Sequence, residues 1–236
     1  MAVINLAQRE ILCKIVYYGA GRCGKTENLL YIYSKIHPGA RGKMISIDTR
    51  GEKTLFFDFL PLDLGEVKGL RLRVQLYSVP GQPYYAPTRP VVLAGVDGVV
   101  FVADSLEVRR KTNLQSFEEL QRNLKVLGAG GEGFPLVLQY NKRDLQGGVI
   151  PLLPLALMEN DLNPGRRYPS VAASAVTGQG VFETLRAIVK LVAVCASRKL
   201  LLPSRTGSPP PPPPADPPLE AHGPRAAAAE AAASAL

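Results

Sequence analysis

Eight consecutive residues, Gly19, Ala20, Gly21, Arg22, Cys23, Gly24, Lys25 and Thr26, fit the spacing G-x-x-x-x-G-K-[ST] without a gap. The chemistry of that spacing is anion binding. Glycines let the backbone curl until successive N–H groups point inward at phosphate oxygens, and a following helix adds the partial positive charge of its N-terminus. Lys25 would supply a point charge between β- and γ-phosphates, and the Thr26 hydroxyl would hold a Mg²⁺ ion. A glycine-rich turn that merely joins a strand to a helix is the plainer alternative. The surroundings suit phosphate: residues 11–18 are apolar and strand-like, and residues 28–33 continue with helical spacing.

Four more groups of residues carry chemistry. Asn141, Lys142, Arg143 and Asp144 form an N-K-x-D sequence directly after the apolar run 136–140, and an open α/β sheet places ligand contacts at such strand ends. The Asp144 carboxylate can accept two parallel hydrogen bonds from guanine, one from the ring N–H and one from the exocyclic amine; adenine offers no such pair. Asn141 can satisfy base or loop groups, and the Lys142 stem can lie over the ring. Alone, the tetrapeptide could be a polar turn. Behind a phosphate loop it selects the base. Ser174, Ala175 and Val176 follow the last expected strand, where backbone N–H groups could meet the guanine carbonyl oxygen. In Val79-Pro80-Gly81-Gln82, the Gly81 N–H can meet a γ-phosphate and Gln82 could orient an attacking water. Thr54, in a polar loop ahead of residues 55–60, could reach Mg²⁺ when the γ-phosphate is present. Five elements in this order imply a Ras-like small GTPase that uses GTP/GDP and Mg²⁺. An ATP-binding enzyme is opposed by Asn141 and Asp144.

Positioning these residues requires alternating strands and helices. The apolar runs predict strands at 11–18, 44–47, 55–60, 70–77, 98–103, 136–140 and 168–173, and helices at 25–36, 114–127, 151–159 and 181–197. This is an α/β, P-loop NTPase pattern: a mixed, mostly parallel sheet covered by helices on both faces, with an antiparallel edge around 44–77. Residues 1–202 form the expected domain. Ten of the 21 prolines fall in 203–236, including an unbroken run at 209–214, so this tail is expected to be a disordered segment with a polyproline II rod.

Composition bounds the partners. Hydrophobic residues make up 46% and charged residues 20% of 236, an ordinary globular balance. The net charge of +8 is spread over small groups such as Arg71/Arg73 and Arg166-Arg167, with no aromatic interleaving, which argues against nucleic acid. Cys13, Cys23 and Cys195 show neither a disulfide framework nor metal-ligand spacing, so a reducing cytoplasm is expected. Cys23 reads as a packed small residue rather than a redox sensor. No secretory signal, lipidation site or spanning segment is visible, and any membrane association is expected through partners.

Segments 14–19, 54–61, 79–82, 95–105 and 140–145 resemble the bacterial gliding-motility and cell-polarity GTPases of the MglA type, and the resemblance runs from about Ile4 to Leu202. It implies a cytoplasmic switch, recruited to a cell pole, that hydrolyses GTP slowly. A roadblock-fold dimer (MglB type) would stimulate it, and the GTP form would recruit polarity effectors. The family also carries a hydroxyl residue at Ser78, where most small GTPases have an aspartate near Mg²⁺; Asp58, interrupting an otherwise apolar strand, could supply that charge. Two departures stand out. Lys53 occupies the place of the family's arginine finger and keeps the charge without the planar fork. Glu27 replaces a threonine and brings a carboxylate near the α-phosphate. A hydrolysis-impaired, nucleotide-held scaffold is therefore the competing reading, with Gln82, Thr54 and Lys25 on the side of the enzyme.

Overall fold

The computed structural model describes residues 3–5, 7–47, 57–67 and 69–201. Lys53, Thr54, the start of the strand expected at 55–60 and the tail expected at 203–236 lie outside the described residues. The elements follow in the order β1 (Val3–Asn5), β2 (Glu10–Tyr18), α1 (Lys25–Lys35), β3 (Ile45–Ile47), β4 (Phe57–Val67), β5 (Leu70–Ser78) and α2 (Arg89–Leu93). Then come β6 (Gly98–Asp104), α3 (Arg110–Val126), β7 (Leu136–Asn141), α4 (Leu155–Leu162), β8 (Ser170–Ala172) and α5 (Val181–Leu201).

The sheet order is β3-β4-β5-β2-β6-β7-β8, with β1 paired antiparallel to β2. Strands β5, β2, β6, β7 and β8 run parallel, while β3 and β4 form the antiparallel edge. The mixed, mostly parallel sheet is thus present as expected. Strand β2 sits centrally, between β5 and β6, so the loop after it opens at the crevice where connections diverge to the two sides.

Alternation along the strands divides the core in two. From β2, Ile11, Cys13, Ile15 and Tyr17 meet Leu29 and Ile32 of α1 and Leu185, Ile188 and Val192 of α5. Val16 and Tyr18 point the other way, joining Phe101 with Phe117, Leu120 and Leu124 of α3 and Met158 and Leu162 of α4. Each fully buried side chain such as Leu120 contributes about 1.5–3 kcal/mol. Among the described residues, no helix is long and apolar enough to cross a membrane.

Boundaries differ from the sequence expectation for local reasons. Strand β4 continues to Val67, past Pro61, because beyond Phe59 its outer side leaves β3 and a missing N–H costs no ladder bond there. Helix α3 starts at Arg110 rather than 114. Asn113 accepts from the Asp104 N–H (3.1 Å) and donates to the Asp104 carbonyl (2.8 Å), anchoring the first turn. Helix α4 starts at Leu155 rather than 151, since Leu153 N–H bonds the Ser105 carbonyl at 2.8 Å and keeps the preceding residues extended. Short β1 and α2 carry too little periodicity to be read from sequence.

Candidate functional site

The loop 19–24 leaves the C-terminal end of β2 and enters α1 at Gly24, which adopts a left-handed conformation (φ 99°). A side chain at Gly24 would also collide with the Asn141 amide. Glycine is thus required twice over. Lys25 is only 6% exposed, and its ammonium donates to the Gly19 and Ala20 carbonyls at 2.9 and 2.7 Å. It also lies 3.5 Å from the buried Cys23 sulfur. The side chain therefore folds back over the loop that surrounds it.

Thr26, one residue on, donates its hydroxyl to Asp58 at 2.7 Å. The same carboxylate accepts from Ser78 at 2.6 Å and from Ser46 at 2.8 Å. Asp58 reaches Thr26 because β4 and β5 pair it directly opposite Ser78, at the end of β5 beside the phosphate loop. Three hydroxyl donors offset the desolvation of this buried carboxylate. The donor set, carboxylate and hydroxyl oxygens, suits a hard divalent cation. No cluster of three or more His, Cys, Asp or Glu occurs among the described residues, so such an ion would draw further oxygens from phosphate and water.

Val79-Pro80-Gly81-Gln82 continues from β5 and lies against the phosphate loop: a Cβ on Gly81 would strike the Ala20–Gly21 peptide. A cavity of about 460 Å³ opens at this junction, lined by Arg22, Lys25, Thr26, Glu27, Asp58 and Gln82 among others. Arg22 has φ 64° and an exposed side chain, and Glu27 is exposed in the first turn of α1. An acidic residue there is favoured by the helix dipole even where phosphate would repel it.

At the other end, buried Asn141 ties loops together. Its amide donates to the Cys23 carbonyl at 2.8 Å and its carbonyl accepts from the Ala175 N–H at 2.8 Å. Lys142, at φ 70°, pairs with buried Asp104 at 2.7 Å. The Asp144 carboxylate is exposed, Ser174 is buried, and Val176 is 74% exposed. The predicted base residues thus converge at the ends of β7 and β8. Lys53 and Thr54 fall outside the described residues.

The sequence reading missed three supporting residues. Asp104 anchors Lys142 and lies 3.7 Å from Arg109, whose guanidinium donates to the Gly21 carbonyl at 2.7 Å. Arg89 bonds the carbonyls of Pro80 and Gln82. Asp104 ends an otherwise apolar strand, which is the signal that could have found it. Arg109 lies in a polar stretch with no such contrast, and Arg89 lies between prolines in a segment with no regular apolar pattern.

A central parallel sheet, a phosphate loop after its middle strand, and a glycine–glutamine turn facing that loop define a Ras-like P-loop GTPase. No protein-family model matches the chain. Over 192 residues it is 52% identical to the mutual gliding-motility protein MglA of Myxococcus xanthus, covering 81% of this chain and 96% of that protein. It is 28% identical over 138 residues to ADP-ribosylation factor-like protein 4C of human and mouse, covering 56% of this chain and 67% of each relative. The chain belongs to the MglA family of small GTPases.

Proposed function

We propose that this GTPase is a timed switch controlling gliding motility and cell polarity, with its GTP cleavage assigned to the cavity between residues 19–27 and 79–82. The observation that carries this reading is the convergence of Lys25, Thr26, Asp58 and Gln82 on one cavity of about 460 Å³. Lys25 offsets charge on the β- and γ-phosphates, the Gly81 N–H meets the γ-phosphate, and Gln82 orients the attacking water. Of the described residues, the Thr26 hydroxyl and the Asp58 carboxylate behind it fit Mg²⁺, and the sequence assigns Thr54 as a further ligand. When bound, the ion neutralises charge on the phosphate oxygens. Asp144 selects guanine, and Asn141 couples the base loop to the phosphate loop.

Residues 1–202 form the switch, and residues 203–236 are a tail outside it. The partners are a roadblock-fold dimer of the MglB type that stimulates hydrolysis, and effectors that bind the GTP form. The protein works in the cytoplasm, is recruited to a cell pole, and meets membrane only through these partners. A hydrolysis-impaired scaffold is the second reading, favoured by Lys53 in the finger position and by exposed Glu27 at the cavity.

Single-turnover GTP cleavage, with a saturating roadblock dimer, separates the two. An arginine finger is worth roughly 10³–10⁵ in rate, and a lysine offers one contact where a guanidinium offers two. Lys53→Arg is therefore expected to raise the stimulated rate about ten-fold or more, equivalent to at least ~1.4 kcal/mol of barrier. GTP affinity should barely change, because the gain belongs to the transition state. No cleavage by wild type or Lys53→Arg would favour the scaffold. Equal rates for wild type, Lys53→Arg and Lys53→Ala would remove position 53 from the site.

A further inference from the structure

Arg89 opens α2 and is 4% exposed. Its Nε donates to the Pro80 carbonyl at 3.0 Å and its Nη2 to the Gln82 carbonyl at 2.9 Å. Nη1 pairs with Glu119 of α3. The guanidinium therefore spans Gly81 and grips the peptide carbonyls on both sides of it. Gly81 in turn rests on the Ala20–Gly21 peptide. The Tyr18 ring lies 5.9 Å from the guanidinium, and its hydroxyl, pushed up to about 12 mainly by burial, stays neutral. Glu119 is thus the ion-pair partner of Arg89 among the described residues.

Burying a charge is costly, and a well-packed apolar side chain could fill the same space. A planar fork that bonds two carbonyls at once is something only arginine provides. Helix α2 has five residues, of which Arg89, Val92 and Leu93 are buried. The Tyr85 N–H also bonds the Gln82 carbonyl, at 3.1 Å, but among the described residues the fork is what ties Pro80 and Gln82 to each other, and Glu119 ties the fork to α3.

We propose that Arg89, held by Glu119, is a positioning residue for GTP hydrolysis: it fixes the backbone of residues 80–82 so that Gln82 can orient the attacking water. The inference rests on the role assigned to Gln82 above. Misplacing a reacting group by about 1 Å can cost roughly 100-fold in rate. Loosening this loop should therefore slow cleavage while leaving nucleotide binding to Lys25, Asn141 and Asp144.

The test is single-turnover cleavage of preloaded GTP by the full chain without a partner, alongside GDP and GTP affinities. Wild type, Arg89→Lys, Arg89→Gln and Glu119→Gln are compared in the native and Gln82→Ala backgrounds. Arg89→Gln should slow cleavage about 10- to 100-fold with affinities changed by less than about two-fold, and Arg89→Lys should recover only part of the rate. In the Gln82→Ala background Arg89→Gln should cost nothing further, because two groups acting as one unit are not additive. If Arg89→Gln purifies unfolded, Glu119→Gln carries the same comparison with a smaller loss, since its amide keeps one acceptor. Equal losses in both backgrounds, or a loss confined to affinity, would show a merely structural residue and overturn the inference. A Gln82 effect with no Arg89 or Glu119 effect would overturn this inference alone. No Gln82 effect would overturn the assigned role of Gln82 and the positioning role with it.

Discussion

Asp58 gathers hydroxyls from three separate elements, Thr26 of α1, Ser46 of β3 and Ser78 of β5. Removing the carboxylate leaves those donors to find water. Asp58→Ala should cost about 1–3 kcal/mol, lowering the melting temperature by roughly 2–4 °C for each kcal/mol in a chain of this size. Because Thr26 is oriented by this carboxylate, GDP release should also accelerate. Scanning calorimetry and stopped-flow release of a fluorescent GDP measure the two effects. An unchanged release rate would leave Asp58 a fold residue without a nucleotide role. Asp144 makes a separate and sharper case. Asp144→Asn offers guanine one acceptor instead of two, which costs about 1–3 kcal/mol. GDP affinity should fall, and xanthosine diphosphate, whose 2-oxo group can meet the new amide, should bind better. Unchanged GDP binding would remove the base-recognition assignment.

At the scale of elements, Asn141 ends β7 and stitches two loops, through Cys23 and Ala175, that are far apart in sequence. Asn141→Ala leaves a buried carbonyl and a buried N–H without that partner, at about 1–3 kcal/mol each. GDP release should quicken by about ten-fold or more, read by the same fluorescent nucleotide. The long apolar strands around these loops were legible in the sequence, because β2, β5, β6 and β7 carry continuous or alternating apolar residues. So was the phosphate loop, whose spacing is dictated by local backbone geometry at Gly24. The N-K-x-D residues were legible as types, but not the division of labour among them: Asn141 braces loops and Lys142 pairs with Asp104. Such tertiary partners leave no periodic trace. The same holds for Arg89 and Glu119, thirty residues apart, and for Asp58 opposite Ser78, where an acidic interruption hinted at a role without naming the hydroxyls.

At the scale of the whole molecule, the described residues bury two apolar clusters, one on each face of the sheet. The segment 203–236 has ten prolines and little periodic apolar sequence to add to either cluster. Ending the chain after Leu202 should therefore leave GDP affinity unchanged and the melting temperature within about 2 °C. A larger drop would mean that the tail packs on the domain. As a GTP-binding switch, the protein should present a different surface around Gly81 and Gln82 with and without the γ-phosphate. A partner can read that difference only through differential affinity for the two states. The most direct test is the affinity of a roadblock-fold dimer for this protein loaded with a non-hydrolysable GTP analogue, with GDP, or incubated with ATP. A binding preference of about 100-fold or more for the GTP-analogue form, with no effect of ATP, is the expected result. Equal affinity for the GTP-analogue and GDP forms would contradict it.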